Sequence, residues 1–249
     1  MNTRFAVAIL AATTLVACKP AADANTDTAS PAAPATAKAA PAGEKWVDVV
    51  AKTDDGGYRM GNPDAPVKLI EYGSRTCPHC GVFDAEGLPK LKAGPIAAGK
   101  LSYEFHDYPV HNQLDLGPIL LGQCVEPAQF FPMLDQMFAN QETLIYRKEQ
   151  ISPAEQAKLS NASPAQVISY LANFYGYVDF VKQRGVPEAK ANACLNDPKA
   201  LEAIAKQTDT ANQKYNITGT PTFIVNGKVV PNAAAYEQLE PALKAAGAL

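Results

Sequence analysis

The stretch VKLIEYGSRTCPHC, residues Val67 to Cys80, constrains the fold more than any other part of the chain. Val67–Tyr72 reads as a buried strand, preceded by the turn signals Gly61-Asn62-Pro63. Cys77-Pro78 then opens a helix, because proline at the first helical position lacks only an N–H that has no helical partner there. Phe83, Leu88 and Leu91 continue its apolar face, with Gly87 and Pro89 set to bend it. Leu101–Tyr108 reads as a second strand, with Leu101, Tyr103 and Phe105 alternating with polar residues. Strand, helix, strand is a βαβ unit with a right-handed crossover.

A long helical region follows, from about Asn112 to Asn196, with breaks near Pro127, Ser152-Pro153, Ser163-Pro164 and Gly185–Pro187. Asp197 as N-cap and Pro198 after it start one more helix, to Tyr215. Thr222–Val225 is a short strand, Asn226-Gly227 a two-residue hairpin turn, and Lys228–Val230 the return strand. A last helix is expected over about Ala234–Ala246. The fold class is therefore α/β, a core interrupted by an all-helical insertion. The 249 residues, 47% of them hydrophobic, suffice for one such core. Phe130, Phe131, Met133, Met137 and Phe138 form an apolar stripe at helical spacing, read as core. A net charge of −3 excludes the basic surface that nucleic-acid binding needs, so no nucleic-acid partner is expected.

The first residues do not belong to that fold. Met1–Arg4 gives a positive start, and Phe5–Val16 is an apolar run too short to anchor across a bilayer. This reads as a secretory signal over residues 1–17. Leu15-Val16-Ala17-Cys18 resembles a bacterial lipobox, which implies cleavage before Cys18 and lipid on its sulfur. Residues 18–45, mostly Ala, Pro, Thr and Asp, hold little to bury and are expected to form a disordered tether. The globular domain is expected over 46–249, with its core at about 46–111 and 197–249 and its insertion at about 112–196. Lys19, rather than an aspartate, follows the lipid-bearing position, which leans toward the outer membrane. With Cys18 lipidated, four of the five cysteines remain: Cys77, Cys80, Cys124 and Cys194. An exported, oxidising setting makes disulfides among them the expectation.

Cys77 and Cys80 admit three readings: metal ligands, a structural clamp or a redox pair. A metal needs two further ligands at suitable spacing. His106 and His111 follow a strand and form no second close pair, so no metal is expected. A three-residue clamp constrains little chain entropy. A redox pair fits the position. Free N–H groups and the positive end of a helix dipole stabilise a Cys77 thiolate, and His79 would favour it further. Cys80, one turn on, is the buried resolving thiol, and Cys77 is the exposed attacking one.

GNPDAPVKLIEYGSRTCPHC resembles the active-site entry of the DsbA-like thiol:disulfide oxidoreductases of the thioredoxin superfamily, and Cys77-Pro78-His79-Cys80 resembles the tetrapeptide of the oxidase branch. Gly219-Thr220-Pro221-Thr222-Phe223 resembles the family's second signature, a cis-proline loop. The resemblance covers 46–249. It implies a thioredoxin fold with a helical insertion and no cofactor. It also implies that Thr220 and Pro221 hold an extended substrate segment against the cysteines. Glu71, six residues before Cys77, matches a buried acid that relays the Cys80 proton, unless it sits at the strand end facing solvent. Some relatives carry a second disulfide in the insertion. Here it would join Cys124 to Cys194 and enclose about 70 residues, worth on the order of 4 kcal/mol in the chain-entropy model. Two buried thiols are the alternative.

The resemblance implies a periplasmic oxidase; the lipobox adds a lipid anchor to the membrane, and Lys19–Gly43, which cannot fold into the dimerisation domain usual in isomerases, favours a monomer. It would act on reduced, unfolded exported proteins and be reoxidised by a DsbB-like membrane quinone reductase. Two readings stand beside it: a reductase or isomerase kept reduced by a membrane donor, and a non-catalytic lipoprotein that holds unfolded chains. Thr220 also occurs in reducing and isomerising relatives, and so leaves the direction of electron flow open.

Overall fold

A computed structural model describes residues 39–145 and 150–249. The signal segment, Cys18 and the tether as far as residue 38 lie outside the described residues. Six strands form one sheet: β1 (Val50–Lys52), β2 (Tyr58–Gly61), β3 (Val67–Gly73), β4 (Leu101–Asp107), β5 (Thr222–Val225) and β6 (Lys228–Val229). Their spatial order is β1-β2-β4-β3-β5-β6, with β3 and β4 parallel and every other pair antiparallel. The helix between β3 and β4 is α1 (Pro78–Glu86), followed by the short α2 (Leu88–Leu91). Gly87 separates the two, at the bend that Gly87 and Pro89 imply.

The two-residue repeat of a strand sorts the sheet into two faces. On one face Val67, Leu69, Phe105, Phe223 and Val225 join Phe83, Leu88, Leu239 and Leu243 in the main core. Tyr72 and Ile224, on the other face, pack with Ala211 and Ile217. Glu71, between Leu69 and Gly73 on β3, therefore belongs to the face that carries α1.

Between β4 and β5 the insertion runs as α3 (Gln113–Gly122), α4 (Phe130–Ala139), α5 (Gln141–Leu144), α6 (Pro153–Leu159), α7 (Pro164–Phe174), α8 (Tyr177–Lys182) and α9 (Glu188–Leu195); α10 (Pro198–Tyr215), whose Ala211 packs on the sheet, leads into β5, and α11 (Tyr236–Ala245) follows β6. Ser152 and Ser163 cap α6 and α7 with reciprocal capping boxes, and Asp197 caps α10 by accepting from the Lys199 N–H. Further breaks occur at Asn140 and at Gly176, whose φ of 78° is left-handed. The α4 stripe is core: Phe130, Phe131, Met133, Met137 and Phe138 are all buried.

Two strands escape the sequence pattern. β1 and β2 have three and four residues, too few to show alternation. Gly61, which reads as a turn signal, is the last residue of β2 and carries the positive φ (102°) there. These strands exist because β4 offers an open edge, on which Tyr58 pairs with Phe105. Among the described residues, no helix is long and apolar enough to cross a membrane.

Candidate active site

Ser74-Arg75-Thr76 turns β3 into α1, and Cys77 is the residue that caps the helix. Pro78 and His79 are exposed. Cys77 and Cys80 are unbonded thiols with 6% and 0% exposure. The expectation of an exposed Cys77 is thus corrected: both are buried, and Cys77 is only the more accessible. The covering element is the loop before β5, where the Thr220–Pro221 bond is cis and the Cys77 Sγ–H donates to the Thr220 carbonyl at 3.2 Å.

Cys77 is acidified to about 5. The Cys80 thiol donating to its sulfur is the largest cause; the Thr220 side chain and the backbone N–H groups of Cys80 and His79 add to it, against burial. The His79 backbone N–H, at the helix start, is one of the groups that favour the Cys77 thiolate. Burial pushes Cys80 well above the ordinary thiol range, and the neighbouring Cys77 and Glu71 push it further. The split gives one sulfur that is a thiolate at neutral pH beside one that keeps its proton.

Glu71 is 1% exposed, which rules out the solvent-facing alternative. Its Oε2 accepts the Tyr103 hydroxyl at 2.7 Å, while Oε1 has no partner. Burial raises its carboxyl to about 8, and the Tyr103 bond only partly offsets this. Glu71 is thus mostly protonated at pH 7, so the site holds an acid able to give or take one proton in an apolar core.

The turn that carries Cys77 is clamped by groups the sequence reading passed over. Arg75 is wholly buried and forms a bidentate pair with Asp107, at 2.6 and 3.0 Å. Its guanidinium lies 5.1 Å from the Phe130 ring centre, and Gln123 also donates to Asp107. A Cβ at Gly122 would run into the Arg75 guanidinium, which its bidentate pairing with Asp107 holds in place. Gln141 of α5 donates to the carbonyls of Arg75 and Cys77, both at 3.0 Å. The helical insertion therefore holds the active-site turn directly. A buried Arg–Asp pair 32 positions apart leaves no local signal; the one hint was an Arg within a short polar run between strand and helix.

Cys124 and Cys194 are joined as a disulfide with Cα atoms 6.1 Å apart, linking the end of α3 to α9. Elsewhere, ligand-type atoms of Asp55, Glu104 and His106 lie within 4.8 Å of one another. Both His106 nitrogens are engaged, with Glu104 and Gln207, so this group is a hydrogen-bond cluster rather than a vacant ligand set.

The chain's similarities agree with this geometry. The thioredoxin family profile matches residues 53–245. A putative protein-disulfide oxidoreductase of Rickettsia bellii is 25% identical over 188 residues, 76% of this chain and 64% of the relative. Disulfide bond formation protein D of Bacillus subtilis is 25% identical over 74% of each chain. The chain thus spans slightly less than two thirds of the Rickettsia protein. Among solved structures, a protein-disulfide isomerase from Novosphingobium aromaticivorans superposes with a TM-score of 0.70 at 28% identity, covering 76% of this chain and 96% of that one. The chain, an α/β fold with a helical insertion and a Cys-Pro-His-Cys helix start, belongs to the thioredoxin family.

Proposed function

We propose that this protein is a thiol:disulfide oxidoreductase that introduces disulfides into reduced, unfolded exported proteins through Cys77 and Cys80. The observation that carries the reading is the split between the two sulfurs: Cys77 at about 5 and Cys80 driven the other way. In the oxidised form a substrate thiolate attacks Cys77. The Cys77–Cys80 bond breaks, and its electron pair leaves on Cys80, which takes a proton from Glu71. A second substrate thiolate then attacks the first substrate sulfur, and Cys77 departs as a stable thiolate. A good leaving group and a stabilised reduced form both make the disulfide oxidising. Thr220 presents its backbone to an extended substrate segment beside Cys77. The names of the Rickettsia and Bacillus relatives support this chemistry.

The working location follows from residues 1–45: a cleaved signal, lipid on Cys18, and a tether holding a monomeric domain 46–249 above a membrane, the outer membrane favoured. A DsbB-like quinone reductase would restore the disulfide. The competing reading, a reductase or isomerase kept reduced by a membrane donor, is left open by Thr220 and supported by the name of the Novosphingobium relative. The equilibrium potential of Cys77–Cys80 in glutathione buffers separates them. A value near about −120 mV, that of a strong dithiol oxidant, supports oxidation, and one below about −200 mV overturns it.

A further inference from the structure

One cluster beside the cysteines has no part in the exchange steps above. Asp115, in the first turn of α3, is wholly buried. Its Oδ1 accepts the hydroxyls of Ser74 (2.8 Å) and Thr76 (2.5 Å), and its Oδ2 accepts the His111 backbone N–H at 2.6 Å. Thr76 Oγ1 also lies 2.6 Å from His111 Nδ1. A hydroxyl has one proton to give. With that proton committed to Asp115, Thr76 must accept, so Nδ1 carries the imidazole hydrogen. Nε2 is then left as the basic nitrogen, and the side chain is 46% exposed. The carboxylate thus orients the ring through Thr76, the residue immediately before Cys77.

His111 also borders a groove of about 920 Å³ between the β4–α3 loop and α10. Ile217 and Thr218 line the same groove and lead into the Thr220–Pro221 loop. The groove's rim thus comes within two residues of Thr220, and Thr76, which holds the ring, is the residue before Cys77. The other titratable groups that border the groove are Tyr108 and Asp209; the ring's own contacts are Thr76 and Asp115.

We propose that His111 is a catalytic base for the substrate, its Nε2 removing the proton from the thiol that attacks Cys77, with Thr76 and Asp115 as positioning residues. This rests on the oxidase reading. A free thiol with a pKa of about 8.5 is only a few per cent ionised at neutral pH, and the thiolate is the nucleophile. In the first attack the substrate S–H proton passes to Nε2, the new bond forms to Cys77 Sγ, and the electron pair of the broken disulfide leaves on Cys80. In the second, the other substrate thiol gives its proton to Nε2 after the first proton has gone to solvent, and Cys77 leaves as thiolate. Two substrate thiols are oxidised and one protein disulfide is reduced.

The test is single-turnover oxidation of a two-cysteine peptide by the oxidised full chain, wild type against His111→Gln, followed from pH 6 to about pH 9.5, past the thiol's own ionisation. The variant should be roughly tenfold slower near pH 7, where only a few per cent of the peptide thiol is ionised unaided. It should converge with wild type once the peptide thiol ionises unaided, and the reduction potential should not move. Added imidazole should restore much of the rate to His111→Ala. Equal rates at every pH overturn the proposal, as does a deficit of constant size across the range, which marks a purely structural role. A wild type unable to oxidise the peptide overturns the oxidase reading and this proposal together; a competent wild type matched by the variant overturns this proposal alone.

Discussion

The molecule holds two cysteine pairs, and they differ in almost everything but the residue type. Cys77 and Cys80 are three positions apart at a helix start, with backbone N–H groups and a buried acid around them, and they are free thiols. Cys124 and Cys194 are 70 positions apart, bonded, and packed in the insertion's core among residues such as Leu121, Ala191 and Leu195. The first pair closes almost no loop, so its bond adds little stability and can be made and broken cheaply. The second closes a long loop between two helices, away from the helix start that carries the first pair. Chain separation and electrostatic setting together decide which pair is chemistry and which is a staple.

The sharpest way to break that contrast is to remove each pair in turn. Cys77→Ser should abolish thiol–disulfide exchange, by at least about a thousandfold in a peptide oxidation assay, since no other free thiol among the described residues sits at a helix start. Replacing Cys124 and Cys194 by Ala should leave exchange in place while lowering unfolding stability by on the order of 4 kcal/mol in urea melts. Loss of activity in the second variant would show that the two pairs form one redox system.

The active-site turn lacks a staple of its own and relies on Arg75–Asp107. Asp107→Ala leaves a buried guanidinium uncompensated and should cost roughly 3–5 kcal/mol by the same melts. A cost below about 1 kcal/mol would mean that Gln141 and Asp115 hold the turn without the ion pair.

Glu71 offers a finer test. Its carboxyl is raised to about 8, so its contribution to stability is fully present below the unfolded value near 4.5 and is lost as pH rises through about 8. Glu71→Gln should therefore be more stable than wild type by up to about 3 kcal/mol at pH 7, with the gap widening from pH about 4.5 to about 8. A gap independent of pH would show that Glu71 is already ionised in the fold. The same variant should release Cys80 from the Cys77–Cys80 disulfide more slowly when a substrate thiolate attacks at neutral pH, because the leaving sulfur loses its proton donor.

Much of the frame was legible in residue order because its signals are local. Pro78 after Cys77 fixes the start of α1, Asp197-Pro198 fixes that of α10, and Asn226-Gly227 makes the turn from β5 to β6. Glu71 stood out as an acid inside an apolar strand. What stayed hidden is what depends on distant partners. β1 and β2 are defined by the free edge of β4, not by their own pattern. Tyr103 as the partner of Glu71, Asp107 as that of Arg75, and Asp115 as that of Thr76 each lie more than 30 positions away. The burial of Cys77 also escaped the sequence, because the loop that covers it comes 143 positions later.

The central claim is that Cys77, and not merely the presence of a Cys-Pro-His-Cys segment, is poised as a thiolate. The direct measurement is a pH titration of thiolate ultraviolet absorbance in the reduced protein, to which the bonded Cys124 and Cys194 contribute nothing. The account predicts one thiolate appearing with a midpoint near about 5 and a second only at strongly alkaline pH. A single transition near about 8.5, the ordinary thiol value, would contradict it and leave the two pairs alike in all but the loop they close.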